Sequence, residues 1–502
     1  MPEPQLNEYD IFIIGGGING AGIARDAAGR GLSVCLVEQH DLASATSSAS
    51  SKLIHGGLRY LEHYEFHLVR ESLQERETLM AMAPHLIHPM RFILPHHEGL
   101  RPAFILRIGL WLYDHIGGRK KLPATRTINL RNPAENSPLK DTYAKAFEYS
   151  DCWVDDSRLV IANAMDAAAH GASVLPRHRF LHAAKEDNQW LVEYMTPDHK
   201  RERVRAKVLV NAAGPWVDLV QEHLPVMSGT VNNMRLVKGS HIIVPKLYDD
   251  PRAFTFQGSD GRVVFAIPYR DAYTMIGTTD VPYSGDPERV KIDRKEIEYL
   301  CTLASDYFRT PISPEQVVWS FSGVRPLYDD GETNASKLTR DYVLELEADS
   351  ETPPALSIYG GKVTTYRRLA EDVLEKLSPY IPHGHKTWTS GSTLPGGDIG
   401  TNDFDTFYQQ TQNTYSWLEP DMLRRLCLAY GTNVAQIIGD CATMDDLGKH
   451  FGAGLYEREV EYLMINEWAR EADDVLWRRS KLGLELTAAE QHTLAVWMAS
   501  KN

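Results

Sequence analysis

Cysteine is scarce and scattered: five residues in 502, at Cys35, Cys152, Cys301, Cys427 and Cys441, with no C-x-x-C pair. Neither a disulfide framework nor a zinc site is expected, no other metal site is indicated, and a reducing compartment fits. No run approaches the ~18 apolar residues of a spanning helix. The opening MPEPQLNEYD is acidic and has neither the basic n-region nor the apolar h-region of a signal peptide, so an exported or transmembrane protein is not expected. Positive charge is also in deficit, 53 Lys and Arg against 67 Asp and Glu for a net charge of -14. That balance argues against nucleic acid as the main partner, because phosphate backbones need a basic face, and it makes any anion site local. No internal repeat or low-complexity tract is visible.

What is present is a globular composition, 43% hydrophobic, at a length that suggests roughly three structural units of about 150 residues. From Tyr9 the chain reads YDIFIIGGGINGAGIARDAAGRGLSVCLVEQ: a β-branched run, a glycine turn, an alanine-rich helix and a second strand from Leu32 to Val37. This is a βαβ unit. Gly15, Gly17 and Gly20 form G-x-G-x-x-G between strand and helix. The first glycine allows the tight turn, the second lets backbone approach a pyrophosphate, and the third lets helix pack on strand. The helix N-terminus then turns its partial positive charge toward the phosphates. Glu38 closes the second strand eighteen residues beyond Gly20, where a carboxylate accepts hydrogen bonds from ribose hydroxyls and repels a 2′-phosphate.

Further along, SATSSASSKLIHGGLRY at 44–60 reads as a small-residue loop leading into a helix that runs to about Met82. Residues 158–185 read as helix then strand, and VRAKVLVN at 203–210 as a strand ending in the turn AAGPW. Alternating patterns in 235–285 predict an antiparallel sheet, unlike the parallel N-terminal unit. LSIYGG precedes a helix from Thr364 to about Leu377, a return to the first domain, and EREVEYLMINEWAREADDVLWRR is the clearest helix of a helical tail. The expected fold class is α/β: a Rossmann-like dinucleotide-binding domain (1–88, 150–232, 345–388), an inserted antiparallel-sheet substrate domain (89–149, 233–344), and a helical C-terminal domain (389–502). FAD and NAD share the glycine fingerprint. The Ser/Thr loop at 46–51, the NAAGPW turn at 211–216 and GGKVTT at 360–365, in that order, favour FAD.

These segments, with SSKLIHGGLRYLE, FEYSDCWVDDSRLV, LVKGSHIIVP, IGTTDV, SGVRPL, TRDY and YGGKVTTYR, resemble the aerobic FAD-dependent glycerol-3-phosphate dehydrogenases over about residues 10–480. The resemblance implies oxidation of glycerol 3-phosphate to dihydroxyacetone phosphate by hydride transfer to FAD, with ubiquinone or another membrane quinone as acceptor. It places His55, Arg325 and Lys362 in catalysis, and Arg59, Tyr60, Arg325, Arg340 and Lys362 around the substrate. It assigns Ile18, Asn19, Thr46, Ser47, Ser51, Lys52, Leu53, Gly214, Gly361, Val363 and Thr364 to the cofactor, beside Gly15, Gly17, Gly20 and Glu38. Arginine suits a phosphate dianion through its bidentate fork. For the base, His55 is favoured, since an imidazole near pKa 6.5 accepts a proton at neutral pH. His241 is its rival, and Arg325 stabilising an alkoxide while water takes the proton is a third arrangement.

The stretch 91–126 is locally basic, with seven Arg and Lys against Glu98 and Asp114. Its apolar run LRPAFILRIGLWLYDHIGGRKK, flanked by Arg101, Arg119, Lys120 and Lys121, suits an anionic lipid surface as well as a buried helix with snorkelling ends. The resemblance favours the former, a peripheral, monotopic protein on the cytoplasmic side of the inner membrane. An oxidase of the same fold that uses oxygen and forms peroxide, and a non-enzymatic FAD-binding sensor or scaffold, are the alternatives. The tail helices leave a homodimer open.

Overall fold

The computed structural model describes residues 6–118, 121–225, 234–329, 341–348, 352–382, 386–400 and 403–501, apart from the side chains of Arg59, Glu62 and His63. Strand β1 (Asn7–Ile14) lies at the centre of the first sheet, paired in parallel with β2 (Val34–Glu38) on one side and with Arg201–Asn211 on the other. Ser173–Pro176 continues the parallel order beyond β2, and Ala355–Tyr359 beyond Arg201–Asn211. The inner strands are runs of Val, Ile and Leu because both faces are covered. Helix α1 (Ile18–Gly29) packs against helices Asp156–Ala169 and Tyr366–Leu377 on one face. Gly22 makes that approach close: a Cβ there would stand 2.7 Å from the Tyr366 ring. The hairpin of Arg179–Glu186 and Gln189–Met195 extends the sheet through the N-terminal half of Arg201–Asn211.

The second sheet is built on Met234–Pro245, which pairs antiparallel with Trp319–Tyr328 along ten residues and with Tyr273–Gly277 on its other edge. Val263–Tyr269 and Ala253–Gln257 follow, and Ile87–His96 then joins Ala253–Gln257 in parallel before pairing antiparallel with Lys145–Val154. That one parallel join departs from the antiparallel sheet expected. Two hairpin blocks far apart in sequence meet edge to edge there, with no tight turn to dictate direction. Helix Arg294–Tyr307, capped by the Asp293 and Glu296 box, covers one face of this sheet.

The C-terminal helices Phe404–Thr414, Pro420–Tyr430, Glu457–Asn466 and Ala488–Lys501 enclose a core of Leu423, Leu426, Val460, Leu463 and Leu476. The single helix expected over 457–479 is broken after Asn466. Glu467 is buried and receives Arg158 Nη2 at 2.9 Å, Trp468 takes a left-handed φ of +56°, and the chain resumes as a wide helical turn over Asp474–Arg479. Arg479 then donates to Asp41 at 2.9 Å. The helix gives way because an unpaired buried charge costs more than a lost helical turn. Likewise the helix expected from about residue 60 starts at Phe66, since Gly57 and Tyr64 adopt left-handed conformations at φ +73° and +61°.

His85 and His88 lie at the seam between these units, His88 stacked on Trp153 at 6.0 Å and edge-on to Phe404. Burial is the main cause that holds His85 down at about 3 and His88 at about 4, against an ordinary 6.5. The unfolded chain therefore binds protons below pH 6.5 that the folded one does not, and stability falls as pH drops from 6.5 toward 4. The slope is up to ~1.4 kcal/mol per pH unit for each group. Tm followed from pH 7.5 to 4.5 should decline through this window and decline less steeply in His88→Phe; parallel curves would count against the assignment.

Candidate active site

Two contiguous cavities of about 790 and 860 Å³ run from the end of β2 to the second sheet, sharing Ile18, Thr46, Ser47, Pro326 and Gly361 in their linings. The glycine turn forms one end. Gly15 has φ +111°, and a Cβ on it would meet the Ala212 carbonyl at 2.5 Å, while one on Gly20 would lie 1.9 Å from the Gly15 oxygen. Gly17 caps α1 with no side chain of its own, so backbone can approach a ligand closely there. Glu38 lines the same end; its carboxylate accepts from Gly16 and His40 backbone N–H groups, both at 2.8 Å. Burial pushes its pKa up, the two backbone donors opposing.

The loop after β2 is fixed by its own hydroxyls. Ser47 Oγ accepts from Ile18 N at 3.0 Å, Thr46 donates to the Val324 carbonyl at 2.6 Å, and Ser51 Oγ lies 2.9 Å from His241 Nε2. Gly214, at φ +57°, opens the turn Gly214–Trp216, and Asn19 donates to the Gly360 carbonyl at 3.2 Å while its Oδ1 is buried without a partner. Leu53, Val363 and Thr364 line the first cavity and Gly361 both. Lys52 departs from expectation: it does not line either cavity, and its ammonium is buried in a pair with Asp156 at 2.7 Å. Gly20 contributes packing in place of lining.

At the far end stand His55, Tyr60, His241, Arg325 and Lys362, which the structure brings into one lining. Arg325 donates to Asp280 and to Thr278, both at 3.1 Å. Lys362 Nζ is buried with no hydrogen-bond partner among the described residues, 4.0 Å from the centre of the Tyr60 ring. His55 Nδ1 accepts from Gly57 N at 3.1 Å, so the neutral ring carries its hydrogen on Nε2. His241 is stacked on Phe321 at 4.8 Å; burial, then the Arg325 and Lys52 charges, hold its pKa well below the ordinary range, and it stays neutral. Arg59 belongs to the turn Leu58–His63, but its side chain lies outside the described atoms, as does Arg340 altogether. Asp280 and Thr278 were not foreseen, although the segment IGTTDV that carries them was. Among the described residues no group of three or more His, Cys, Asp or Glu is placed to hold a metal.

A glycine turn on a parallel strand, an acid closing the next strand and an elongated cavity ending at an unpartnered ammonium define a dinucleotide-dependent oxidoreductase. The chain belongs to the FAD dependent oxidoreductase family, whose model matches residues 10–367, in the branch that holds the aerobic glycerol-3-phosphate dehydrogenases. Residues 387–499 match the C-terminal domain of alpha-glycerophosphate oxidase. The aerobic glycerol-3-phosphate dehydrogenase of Escherichia coli K12 is 49% identical, with 98% of each chain covered. The D-erythritol 1-phosphate dehydrogenase of Brucella abortus is also 49% identical, over 100% of this chain and 99% of that one. The glycerol-3-phosphate dehydrogenase of Bacillus halodurans, solved with FAD, superposes with a TM-score of 0.78 at 27% identity, covering 100% of this chain and 91% of that one.

FAD suits the residues present. Its ribose and pyrophosphate match Glu38 and the glycine-capped α1 terminus, and Asn19 Oδ1 is a buried polar atom without a partner among the described residues. Gly20→Ala should purify with well under half the flavin of the parent, read as the ratio of absorbance near 450 nm to that at 280 nm, with circular dichroism unchanged. Full flavin content would show that the Gly15–Gly20 approach is dispensable.

Proposed function

We propose that the protein oxidises sn-glycerol 3-phosphate to dihydroxyacetone phosphate and passes the electrons to a membrane quinone. The observation that carries this reading is the Lys362 ammonium, buried without a hydrogen-bond partner among the described residues, in the lining that also holds Arg325. An uncompensated buried cation is costly, and an anionic substrate removes the cost on binding. Relatives about half identical carry the matching name. FAD, bound along the cavity, supplies the two-electron acceptor. Lys362 and Arg325 bind the phosphate, with Arg59, Tyr60 and Arg340 as further members of the clamp. Arg325 is oriented by Asp280 and Thr278. His55 takes the hydroxyl proton at Nδ1 once Gly57 releases it; His241, neutral and enclosed, is unsuited to charging.

Helix Ala103–Ile116 supports the membrane part of the reading. Phe104, Ile108 and Trp111 on its outer face are 66%, 56% and 58% exposed, with Arg101, Arg107 and Lys121 close by in sequence. No helix among the described residues is long and apolar enough to cross a membrane; the exposed apolar face beside basic residues is what suits this helix to an interface. Its inner residues Ile105, Leu106, Gly109 and Leu110 line the first cavity with Leu58, Leu61 and Leu68, an apolar approach for a quinone from the cytoplasmic leaflet of the inner membrane.

A second substrate reading is favoured by the equal identity to the Brucella enzyme: D-erythritol 1-phosphate keeps the phosphate and adds one carbon. Anaerobic addition of each compound to the purified flavoprotein separates them. Glycerol 3-phosphate should bleach the band near 450 nm with the higher kcat/KM, and a quinone analogue should restore it faster than air. Preference for the four-carbon compound would move the substrate; rapid recovery in air with peroxide would make the protein an oxidase. Arg325→Ala should raise KM about 10- to 150-fold, from the ~1.5–3 kcal/mol of a charged hydrogen bond, and an effect below about twofold would remove Arg325 from the clamp. Replacing Ile108 and Trp111 with Glu should release the protein from phosphatidylglycerol vesicles without slowing the bleaching, and undiminished vesicle binding would refute the lipid role of this face.

A further inference from the structure

The inner side of helix Ala103–Ile116 carries Tyr113, 2% exposed, thirteen residues into the segment that begins at Arg101. Its hydroxyl accepts from the backbone N–H of Gly56 at 2.8 Å and donates to Asp151 at 2.8 Å. Asp151 lines the cavity and is in turn held by Arg76 Nη1 at 2.7 Å, from helix Phe66–Met82. Gly56 also lies so close to the Tyr113 ring that a Cβ there would stand 2.8 Å from it. Gly56 is the residue between His55 and Gly57, the two partners of the bond that occupies Nδ1. The same turn is held from the other side, where His55 N lies 3.3 Å from Thr364 Oγ1.

We propose that Tyr113 is a positioning residue for the reaction: its hydroxyl fixes the His55–Gly57 turn, and so decides how firmly Gly57 N–H holds His55 Nδ1 and where the imidazole stands. The inference rests on His55 as proton acceptor. A donor to Nδ1 stabilises the neutral ring, so the strength of that one contact sets how readily His55 takes a proton. The titratable and charged groups around the turn are Asp151, Arg76 and Tyr149, with Tyr60, Glu65, Arg101, His241, Arg262, Asp280, Arg325, Asp341 and Lys362 elsewhere in the lining. Tyr113 itself is a lasting donor, because burial and then the Asp151 charge hold its ionisation far above neutral pH. The same helix presents Trp111 and Ile108 outward, so the turn that orients His55 is fastened to the element read above as lying in lipid.

The test is stopped-flow bleaching of the holoenzyme by glycerol 3-phosphate without oxygen, across pH. Tyr113→Phe keeps the ring and removes the hydroxyl. It should slow flavin reduction roughly tenfold with KM within twofold, and move the acidic limb of the rate profile upward by about half a unit or more as the Gly57 contact loosens. In a His55→Asn background it should cost less than a further twofold, since residues acting through one another are not additive. A rate within twofold of the parent, an unmoved limb, or the full tenfold loss repeated on His55→Asn would overturn the proposal. Should Tyr113→Phe lose its flavin, Asp151→Asn replaces it, read by coupling because loss of the carboxylate charge acts on the limb in its own right: it must slow the parent yet cost less than a further twofold on His55→Asn, and additive losses refute the role. His55→Asn alone reducing its flavin at the parental rate would instead sink His55 as proton acceptor, an outcome distinct from a slow His55→Asn with additive effects.

Discussion

Everything at the cofactor end depends on one approach, that of Gly20 to the Gly15 carbonyl, where a Cβ would stand 1.9 Å from the oxygen. The contact seats α1 directly against the end of β1, so the first turn of the helix faces the cavity, with its first amide, Ile18 N–H, taken by Ser47. Other segments are then referenced to that turn: Ser47 accepts from Ile18 N, Glu38 from Gly16 N, and Asn19 donates to Gly360. Residues separated by more than 300 positions thus take their places from one helix terminus, which is why the cofactor chemistry concentrates where the backbone, and not the side chains, makes the closest contact.

Charge is distributed with a matching economy. Buried cations within the first domain and at its joint with the C-terminal unit are compensated: Arg25 by Asp166, Lys52 by Asp156, Arg158 by Glu467 and Arg479 by Asp41. Each pair is costly to break from one side only; Arg158–Glu467 and Arg479–Asp41 fasten the helical C-terminal unit to the first domain, while Arg25–Asp166 and Lys52–Asp156 tie elements within that domain. Lys362 stands apart, with an aromatic face in place of a carboxylate. A ring offers its cation less than an ion pair does, so the ammonium keeps an appetite for an anion that the other buried cations have lost. In a chain with a net charge of -14, such local exceptions are what a phosphate-bearing substrate can find.

The parts legible in the sequence were those that local rules decide. Gly15, Gly17, Gly20 and Glu38 fall within 24 residues and announce strand, turn, helix and strand in order. Long-range contacts were not legible. The parallel join of Ala253–Gln257 to Ile87–His96 is set by how two blocks meet, and the break after Asn466 is made by Arg158, 309 positions from its partner Glu467. At the site, SGVRPL and GGKVTT pointed to Arg325 and Lys362, but nothing in either motif says that one is paired with Asp280 and the other is not. Lys52 shows the converse: a motif residue whose neighbours face the cavity while its own side chain turns into an ion pair. Tyr113 reads as one more aromatic in an apolar helix, and its role as a hydrogen-bonding hub is created by Gly56 and Asp151, 57 and 38 positions away.

On the proposed reading, a water-soluble dianion and a lipid-soluble acceptor place opposite demands on one cavity. The dianion cannot be driven through an apolar passage, because desolvating it there would cost many kcal/mol with nothing to offset it. A long apolar tail has no reason to enter a lining of Gln257, Arg262, Asp280 and Arg325. The lining divides in that sense, with Leu58, Leu61 and Leu68 supplied by elements beside the exposed aromatic helix and Ile105 and Leu106 by that helix itself, while Arg325 comes from the second sheet, Arg262 and Asp280 from its loops and Lys362 from the turn after Ala355–Tyr359; Glu65 and Arg101 are the charged residues on the apolar side. On the proposed reading, substrate and acceptor reach the same flavin from differently solvated sides. Polarity of the lining then does the sorting that a moving gate would otherwise have to do, and Tyr113, buried between the two sides, joins the lipid-facing helix to the turn that receives the substrate's proton.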